Sequence, residues 1–580
     1  MSFAPERLSP RPAPRMLTAL LALLPPIAVL GLLEGALAAA GVQGLRYMDF
    51  PGNYWVPAVA CDGTPGYRRA RPRPFKAVPE PEILFLREKP QNGLRIFLLG
   101  DSAIYGWPYE VGSVSDWLQS RLESMLDGRT VEVVNAGNPG WNAAEVRELA
   151  RECGSLAADC LVVAAGNCEY QPESLAAARA EASAWSADGV RRRLLRLRFV
   201  GIAGAVIPEI APERAFLAEE PLGEEVVFTD ADVAMLRTRF RKAIDGLVDD
   251  AAKEQIPLLL VTPPRNLRSR EPNGSYFSRE TLSAPPRKAR WEAHFKEAKD
   301  LLQNRKPLAA LAKLQEAERI DALPAKLHYQ KAKALEQAKR HDEARSAYEE
   351  AARLETRPSR VPPWALEETR AAAARCAPDA FLDFERTLHR RAPYGVAGAE
   401  SLLDASHPNE ATHALFAGVL TYSLEKLLAL PLDRSKDSKD LMGPAADRRA
   451  RFQGYAASRE RALRSLDAGV ATPLRPDDLR QCVEAATTTL SFADTDWEVV
   501  AAKALAECLL GTAADWKARL EQAIHSDPYV KRYYLLLRET EPRWRAVTNR
   551  TGIHWPSLRA SLTHAESVVL RNQIQRARSK

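Results

Sequence analysis

A serine and, far from it in the chain, an Asp–His pair carry the side chains of nucleophilic chemistry. Ser102 lies three residues after an apolar run that ends at Leu99, where a helix is expected to begin, so free backbone N–H groups would surround its hydroxyl. Asp404 and His407 lie three residues apart and can face the same way within one turn. The carboxylate can then accept a hydrogen bond from one imidazole nitrogen while the other nitrogen points at a nucleophile. This spacing predicts a histidine base oriented by an aspartate.

The chain around these residues alternates between short apolar strands and amphipathic helices. The predicted strands are Arg95–Leu99, Thr130–Val134, Cys160–Ala165 and Ile256–Val261, and the predicted helices are Val114–Leu126, Ala143–Ala150 and Asp232–Glu254. Continuous apolar strands separated by helices predict a parallel sheet covered on both faces. Ser102 follows the first strand, residues 135–140 follow the second and residues 166–169 follow the third. Active sites of α/β proteins lie in these loops, after the carboxyl ends of the strands.

An internal repeat interrupts this alternation between residues 284 and 360, where the chain becomes rich in Ala, Glu and Lys. The residues that match at an offset of 34 positions are Leu301 with Leu335, Ala310 with Ala344, Leu314 with Tyr348, Ala317 with Ala351 and Pro324 with Pro358. Small residues at this period are typical of tetratricopeptide repeats, in which paired helices approach closely. The alternative is two similar helices that match by chance. We predict an all-α insert between two parts of the α/β domain, 93–268 and 365–424, and a helical C-terminal domain over 425–580.

The N-terminus has the pattern of an anchoring or export segment. Residues 1–15 carry three arginines against one glutamate, and uncharged residues follow from Met16 to Leu33. Such a run approaches the thickness of the bilayer core, and the preceding basic residues keep 1–15 in the cytoplasm. Residues 16–41 are therefore predicted to be a transmembrane signal anchor, with a cleaved signal peptide or a buried core helix as alternatives. The anchor predicts a single-pass protein of the inner or plasma membrane, with its bulk in the periplasm or elsewhere outside the cytoplasm.

Composition excludes several classes of protein. The chain has 580 residues, of which 46% are hydrophobic and 27% are charged, so it is not largely disordered. A net charge of +6 is too small for this length to indicate nucleic-acid binding. Seven scattered cysteines without a CxxC pair exclude a disulfide-framed scaffold, and neither a metal site nor a cofactor is predicted. Residues 45–92, rich in Pro, Arg and Gly, are predicted to be an extended lead-in.

Taken together and in this order, the serine, the two polar loops and the Asp–His pair resemble the SGNH (GDSL-type) hydrolase superfamily. The resemblance covers residues 94–265 and about 380–420. The stretch 95–109, which ends in Gly-Trp-Pro-Tyr, is similar to membrane-anchored bacterial members that also carry tetratricopeptide repeats. The resemblance implies a three-layer α/β domain with a flavodoxin-like parallel sheet.

The resemblance also assigns roles within a single site. Ser102 would be the nucleophile, His407 the general base and Asp404 the partner that orients it. The oxyanion hole would be formed by the backbone N–H groups of Ser102 and Gly137 and by the side-chain amide of Asn167.

The third polar loop departs from the family pattern, which usually reads Gly-x-Asn followed by an acid. Aligned on Gly166 and Glu169, this chain has Asn167 at the variable position and Cys168 where the asparagine belongs. A thiol is a poor hydrogen-bond donor, and the loss of one oxyanion donor costs on the order of 10²–10³ in rate. Either Asn167 takes the role after a small adjustment, or the enzyme is slow, or the site is inactive.

The expected function is hydrolysis of acyl or acetyl esters, with esters of cell-envelope glycans as candidate substrates. The same site could transfer the acyl group to a sugar hydroxyl, because only the second acceptor differs. A further alternative is a catalytically impaired scaffold that binds a protein partner through its repeats. The expected partners are thus the ester substrate, a protein at the repeats and the membrane at the N-terminal helix, with no nucleic acid.

Overall fold

The computed structural model describes residues 53–70, 82–106, 110–182, 228–470, 474–492 and 496–526, and helical positions between 25 and 39. The chain divides into two units, one of Met1–Asn53 with Arg179–Glu219 and the other of Tyr54–Ala178 with Glu220–Lys580. The predicted anchor falls largely outside the described residues. Within the described residues, no helix has the length and apolar character needed to cross a membrane.

The strands of the second unit form two sheets. In chain order they are β1 (Trp55–Val59), β2 (Pro65–Arg69), β3 (Phe85–Leu86), β4 (Gly93–Gly100), β5 (Thr130–Gly137), β6 (Cys160–Ala164), β7 (Leu258–Val261) and β8 (Phe381–Leu382). The last five pair in parallel in the order β5-β4-β6-β7-β8. Every residue of β4 is buried, as expected for a central strand of a sheet covered on both faces. The prediction of a parallel α/β sheet is confirmed.

Helices surround this sheet and continue beyond it. They are α1 (Ser102–Tyr105), α2 (Val114–Met125), α3 (Ala143–Gly154), α4 (Pro172–Ala182), α5 (Asp230–Lys253), α6 (Arg279–Leu282), α7 (Pro285–Gln303), α8 (Pro307–Ile320), α9 (Ala325–Gln337), α10 (His341–Arg353), α11 (Pro363–Ala373), α12 (Phe384–Arg391), α13 (Glu410–Leu428), α14 (Gly443–Gly469), α15 (Pro476–Phe492), α16 (Trp497–Leu510) and α17 (Trp516–Ser526). One face of the sheet packs against α2 and α13, where Leu122 and Leu420 join Ile96 in a continuous apolar core. Helix α3 lies against β4 and β6, and α5 packs between α3 and α11.

The described part of 45–92 is folded rather than an extended lead-in. Strands β1, β2 and β3 form an antiparallel sheet. Its aromatic side chains explain the difference, because the Phe85 ring packs 5.1 Å from Trp55 and 5.4 Å from Phe97 of the central strand. Arg95 lies over the same ring and pairs with Glu132 at 2.8 Å. The sequence did not reveal these few packing positions, because the segment is otherwise rich in Pro, Arg and Gly.

The insert forms two successive helix pairs, α7 with α8 and α9 with α10, around one apolar core. The four alanines of the 34-residue offset lie in this core with at most 2% exposure: Ala310, Ala317, Ala344 and Ala351. Their small size lets the helices approach closely, as the sequence predicts. The chain leaves the sheet after β7 and returns at β8, which pairs in parallel with β7.

The region after α13 is helical as far as the structure describes it, which confirms the prediction of a long, mainly helical C-terminal region. Helix α15 packs against both α14 and α16, and α16 also contacts α17. Leu466, Cys482 and Leu505 lie in their shared core. Residues 527–580 lie outside the described residues.

Candidate active site

Ser102 begins helix α1 immediately after the buried strand β4. A Cβ on Gly100 would lie 2.2 Å from the carbonyl oxygen of Ala164, so only glycine fits at the end of this strand. Asp101 caps the helix, and its carboxylate accepts a hydrogen bond from the Ala103 N–H at 2.9 Å. The serine therefore stands at the carboxyl edge of the sheet, where the strand order changes direction between β4 and β6. Open α/β sheets bind their ligands at this position.

Gly137, the last residue of β5, leaves space for helix α1. A Cβ at this position would lie 2.4 Å from the backbone nitrogen of Tyr105. The Gly137 N–H donates to Oδ1 of Asn135 at 3.1 Å. In the structure this N–H has the Asn135 side chain as an acceptor, and its place in the oxyanion hole stays a prediction.

A tight loop before helix α13 carries the Asp–His pair. The Leu403 N–H donates to the His407 carbonyl at 2.8 Å and closes the loop. The Asp404 carboxylate accepts hydrogen bonds from the N–H groups of Ser406 and His407, both at 3.0 Å. Asn409 then caps α13 through its side chain, so the pair lies between a closed turn and a helix start.

The loop brings together the three residues that the sequence singles out. His407 Nδ1 lies 2.6 Å from Asp404 Oδ2, and His407 Nε2 lies 2.7 Å from Ser102 Oγ, although 305 positions separate the serine from the histidine. Burial opposes ionisation of Asp404, but the hydrogen bonds from His407 and from the loop N–H groups lower its pKa to about 2. An ionised Asp404 requires the proton on Nδ1, which leaves Nε2 free to accept the serine proton.

Asn167 is the second residue of the third polar loop, and it contacts Asp101. Its backbone N–H and its side-chain Nδ2 donate to the two oxygens of the Asp101 carboxylate, at 3.1 Å and 3.2 Å. The Oδ1 atom of Asn167 is buried and has no hydrogen-bond partner among the described residues. The amide that was expected in the oxyanion hole thus donates to Asp101, the residue beside Ser102.

Cys168 occupies a buried position next to the same carboxylate. Burial, and then the negative charges of Asp101 and Glu169, raise the pKa of its thiol well above the ordinary value. A thiol in this state is neutral and unreactive, which argues against Cys168 as an alternative nucleophile. Gly140, in the second polar loop, has φ +85, a conformation that favours glycine.

Sequence reasoning missed one residue that contributes to this site, Asp101. It directly precedes Ser102, and its place just before a helix was a capping signal. Among the described residues, none accepts a hydrogen bond from the Ser102 N–H. The Ser102 N–H is therefore the expected oxyanion donor with no competing acceptor.

Glu169, the last residue of the third polar loop, is buried. Its carboxylate accepts a hydrogen bond from the Ala143 N–H at the start of α3, at 2.8 Å. Burial outweighs this bond and the nearby charge of Arg239, and raises the pKa of Glu169 to about 7. Because the ordinary pKa of the unfolded chain is 4.5, deprotonation favours the unfolded state, and this contribution to stability falls as pH rises from about 5 to 7.

Replacing Glu169 with glutamine is expected to flatten the pH dependence of stability. The amide cannot ionise, so the fall in the free energy of unfolding between pH 5 and pH 8 should shrink by roughly 2 kcal/mol. Urea unfolding at these two pH values measures the change. Glu123→Gln, on the exposed side of α2, serves as the control and should behave like the wild type. Equal pH dependence in the wild type and Glu169→Gln would contradict the raised pKa.

The described residues contain no group of His, Cys, Asp or Glu side chains arranged to hold a metal ion. Comparison of the chain with protein-family models, with curated proteins and with solved structures finds no match.

Proposed function

We propose that this protein is a serine-dependent hydrolase of acyl esters, with Ser102 as nucleophile, His407 as general base and Asp404 as the orienting carboxylate. The observation that carries the proposal is the unbroken chain of contacts, 2.7 Å from serine to imidazole and 2.6 Å from imidazole to carboxylate. These distances are those of an activated nucleophile and an oriented base.

The fold supports an assignment to the SGNH type. Counted along the chain, the parallel strands lie in the order 2-1-3-4-5, which is the flavodoxin-like arrangement. The serine follows strand 1, and the Asp–His loop follows the last strand and precedes α13. The helix pairs of the insert have the buried alanines of tetratricopeptide repeats, so we extend the proposal to a protein partner at the insert.

The proposed reaction has two steps. Ser102 Oγ attacks the ester carbonyl while its proton passes to His407 Nε2, and the tetrahedral intermediate then expels the alcohol, which takes that proton. Water next attacks the acyl-enzyme with the same histidine as base, releasing the acid and restoring Ser102. If a sugar hydroxyl replaces water, the same steps transfer the acyl group. We expect the Ser102 N–H to donate a hydrogen bond to the oxyanion of the intermediate.

The arrangement of the predicted oxyanion donors supports the alternative of a catalytically impaired scaffold. Gly137 N–H and Asn167 Nδ2 both have protein acceptors, and a buried thiol, Cys168, stands where the family pattern has an asparagine. A chain that binds substrate but turns it over slowly, and whose insert binds a protein partner, would have this arrangement. We also propose that the protein is anchored at a membrane with its bulk outside the cytoplasm.

A fluorophosphonate probe tests the proposed function without knowledge of the substrate. The Ser102 oxygen should displace fluoride from phosphorus, with the serine proton passing to His407, and leave one phosphonyl group on the chain. Mass spectrometry of the intact protein and its peptides should place this group on Ser102, and Ser102→Ala should remain unlabelled. An unlabelled wild-type protein would contradict the assignment of Ser102 as an activated nucleophile.

A further inference from the structure

The loop that carries Asp404 is held from behind by Asn266, in the segment that follows β7. Asn266 is 1% exposed. Its side-chain Nδ2 donates to the Asp404 carbonyl at 2.8 Å, and its backbone N–H donates to the Ala405 carbonyl at 2.9 Å. These two bonds fasten successive peptide groups of the loop.

Asn266 is itself fixed on every polar atom. Its Oδ1 accepts from the Ser269 N–H at 2.9 Å, and its carbonyl accepts from the guanidinium of Arg360. Arg360 is buried and pairs with buried Glu355 at 3.0 Å. Both lie where the chain returns from the helical insert towards α11. Because all of its hydrogen-bond partners are present, the Asn266 side chain is held in one orientation. It can therefore fix the position of the groups to which it bonds.

We propose that Asn266 is the positioning residue that sets the place of the Asp404–His407 pair, and that Arg360 holds Asn266 for this purpose. The inference rests on the proposed function. Among the described residues, the Asp404 carboxylate bonds only within its own loop, to the N–H groups of Ser406 and His407 and to the His407 imidazole. The main chain at 404–405 therefore decides where the imidazole meets Ser102, and Asn266 holds that main chain.

The insert bears on the same segment, which extends the role of Asn266. Buried Arg265, next to Asn266, bonds to Glu349 of α10 at 2.7 Å, and Tyr329 of α9 donates to the Arg268 carbonyl at 3.0 Å. The helix pairs of the insert and the Asp404–His407 loop therefore both bond to the segment that follows β7. A movement of the helix pairs would shift this segment and, with it, Asp404. A displacement of about 1 Å in a reacting group lowers the rate on the order of 10²-fold.

The test compares Asn266→Ala with the wild type on a chromogenic acetyl ester. We expect kcat to fall on the order of 10²-fold and KM to stay within about twofold, because the acyl group is not bound by Asn266. Fluorophosphonate labelling of Ser102 should slow by a similar factor. Hydrogen exchange of residues 400–409 should accelerate.

Two further variants separate positioning from general loss of structure. Arg360→Lys keeps a positive charge beside Glu355 but loses the guanidinium fork, so kcat should fall by about tenfold with KM unchanged. Tyr348→Phe removes a partly buried hydrogen bond from Tyr348 to Glu336 within the insert, 2.7 Å long, and should leave kcat and the exchange of 400–409 at wild-type values. If Asn266→Ala fails to fold, the kcat and KM of Arg360→Lys decide the outcome of the test.

The outcomes distinguish this inference from the proposed function. Wild-type kcat and labelling in Asn266→Ala, with an inactive Ser102→Ala, would overturn the positioning role alone. If Ser102→Ala keeps the wild-type rate, the proposed function fails, and hydrogen exchange then decides whether Asn266 holds the loop. Unchanged exchange at 400–409 would overturn the inference in either case.

Discussion

Alanine in place of Ser102 is expected to lower kcat for a chromogenic acetyl ester on the order of 10⁶-fold, the loss seen when a serine protease triad loses its nucleophile. The hydroxyl that lies 2.7 Å from His407 Nε2 is then absent, and no acyl-enzyme can form. Adding His407→Ala to this variant should cost little more, because the two residues act as one unit. Steady-state kinetics of the two single variants and the double variant measure the effect.

A matched serine controls for general effects of the substitution. In the part of the chain that the structure describes, the Ser124 hydroxyl on α2 bonds only to the Arg121 carbonyl, so Ser124→Ala should keep wild-type kcat and KM. Losses that simply multiply in the double variant would show that the serine and the histidine act independently. That result would contradict the triad.

Asparagine in place of Asp404 is expected to lower kcat on the order of 10⁴-fold while the protein stays folded. The amide can donate to His407 Nδ1, which favours the imidazole tautomer with its proton on Nε2. That proton would point at Ser102, and the base would be lost. Kinetics with the same ester, together with the crystal structure of the variant, measure the effect and check the position of the loop.

The Asp404 carboxylate also predicts that the stability of the protein depends on pH in the acid range. Although burial opposes it, the bonds from His407 and the loop N–H groups lower the pKa of Asp404 to about 2, below its ordinary value of 3.8. A lowered pKa means that the contribution of Asp404 to stability is present above about pH 4 and is lost as pH falls towards 2. Unfolding curves of the wild type and Asp404→Asn should therefore converge in this range.

Exposed Asp342, paired with Arg345 on the insert, provides the control for Asp404. Asp342→Asn should keep the wild-type rate and the wild-type acid dependence, because exposed ion pairs contribute little to stability. A wild-type rate in Asp404→Asn would show that another group orients the imidazole.

The candidate site could be predicted from sequence to the extent that its signals were local. The burial of β4, the helix start at Ser102 and the three-residue spacing of Asp404 and His407 all follow from neighbours in the chain. The insert was visible for the same reason, since Ala310 and Ala344 repeat at a fixed offset. The antiparallel sheet over 55–86 was not visible, because its few apolar positions are meaningful only against Phe97.

The alternation of strands and helices, the order of the polar loops and the spacing of the Asp–His pair were determined by the sequence alone, because periodicity, capping and turn formation depend on adjacent residues. The tertiary structure alone decided which N–H groups near Ser102 have acceptors. Gly137 bonds to Asn135, and the amide of Asn167 bonds to Asp101. It alone placed Asn266 behind Asp404, 138 positions away. The physical reason is that a backbone or amide donor takes whatever acceptor folding brings within about 3 Å, and that acceptor can belong to any part of the chain.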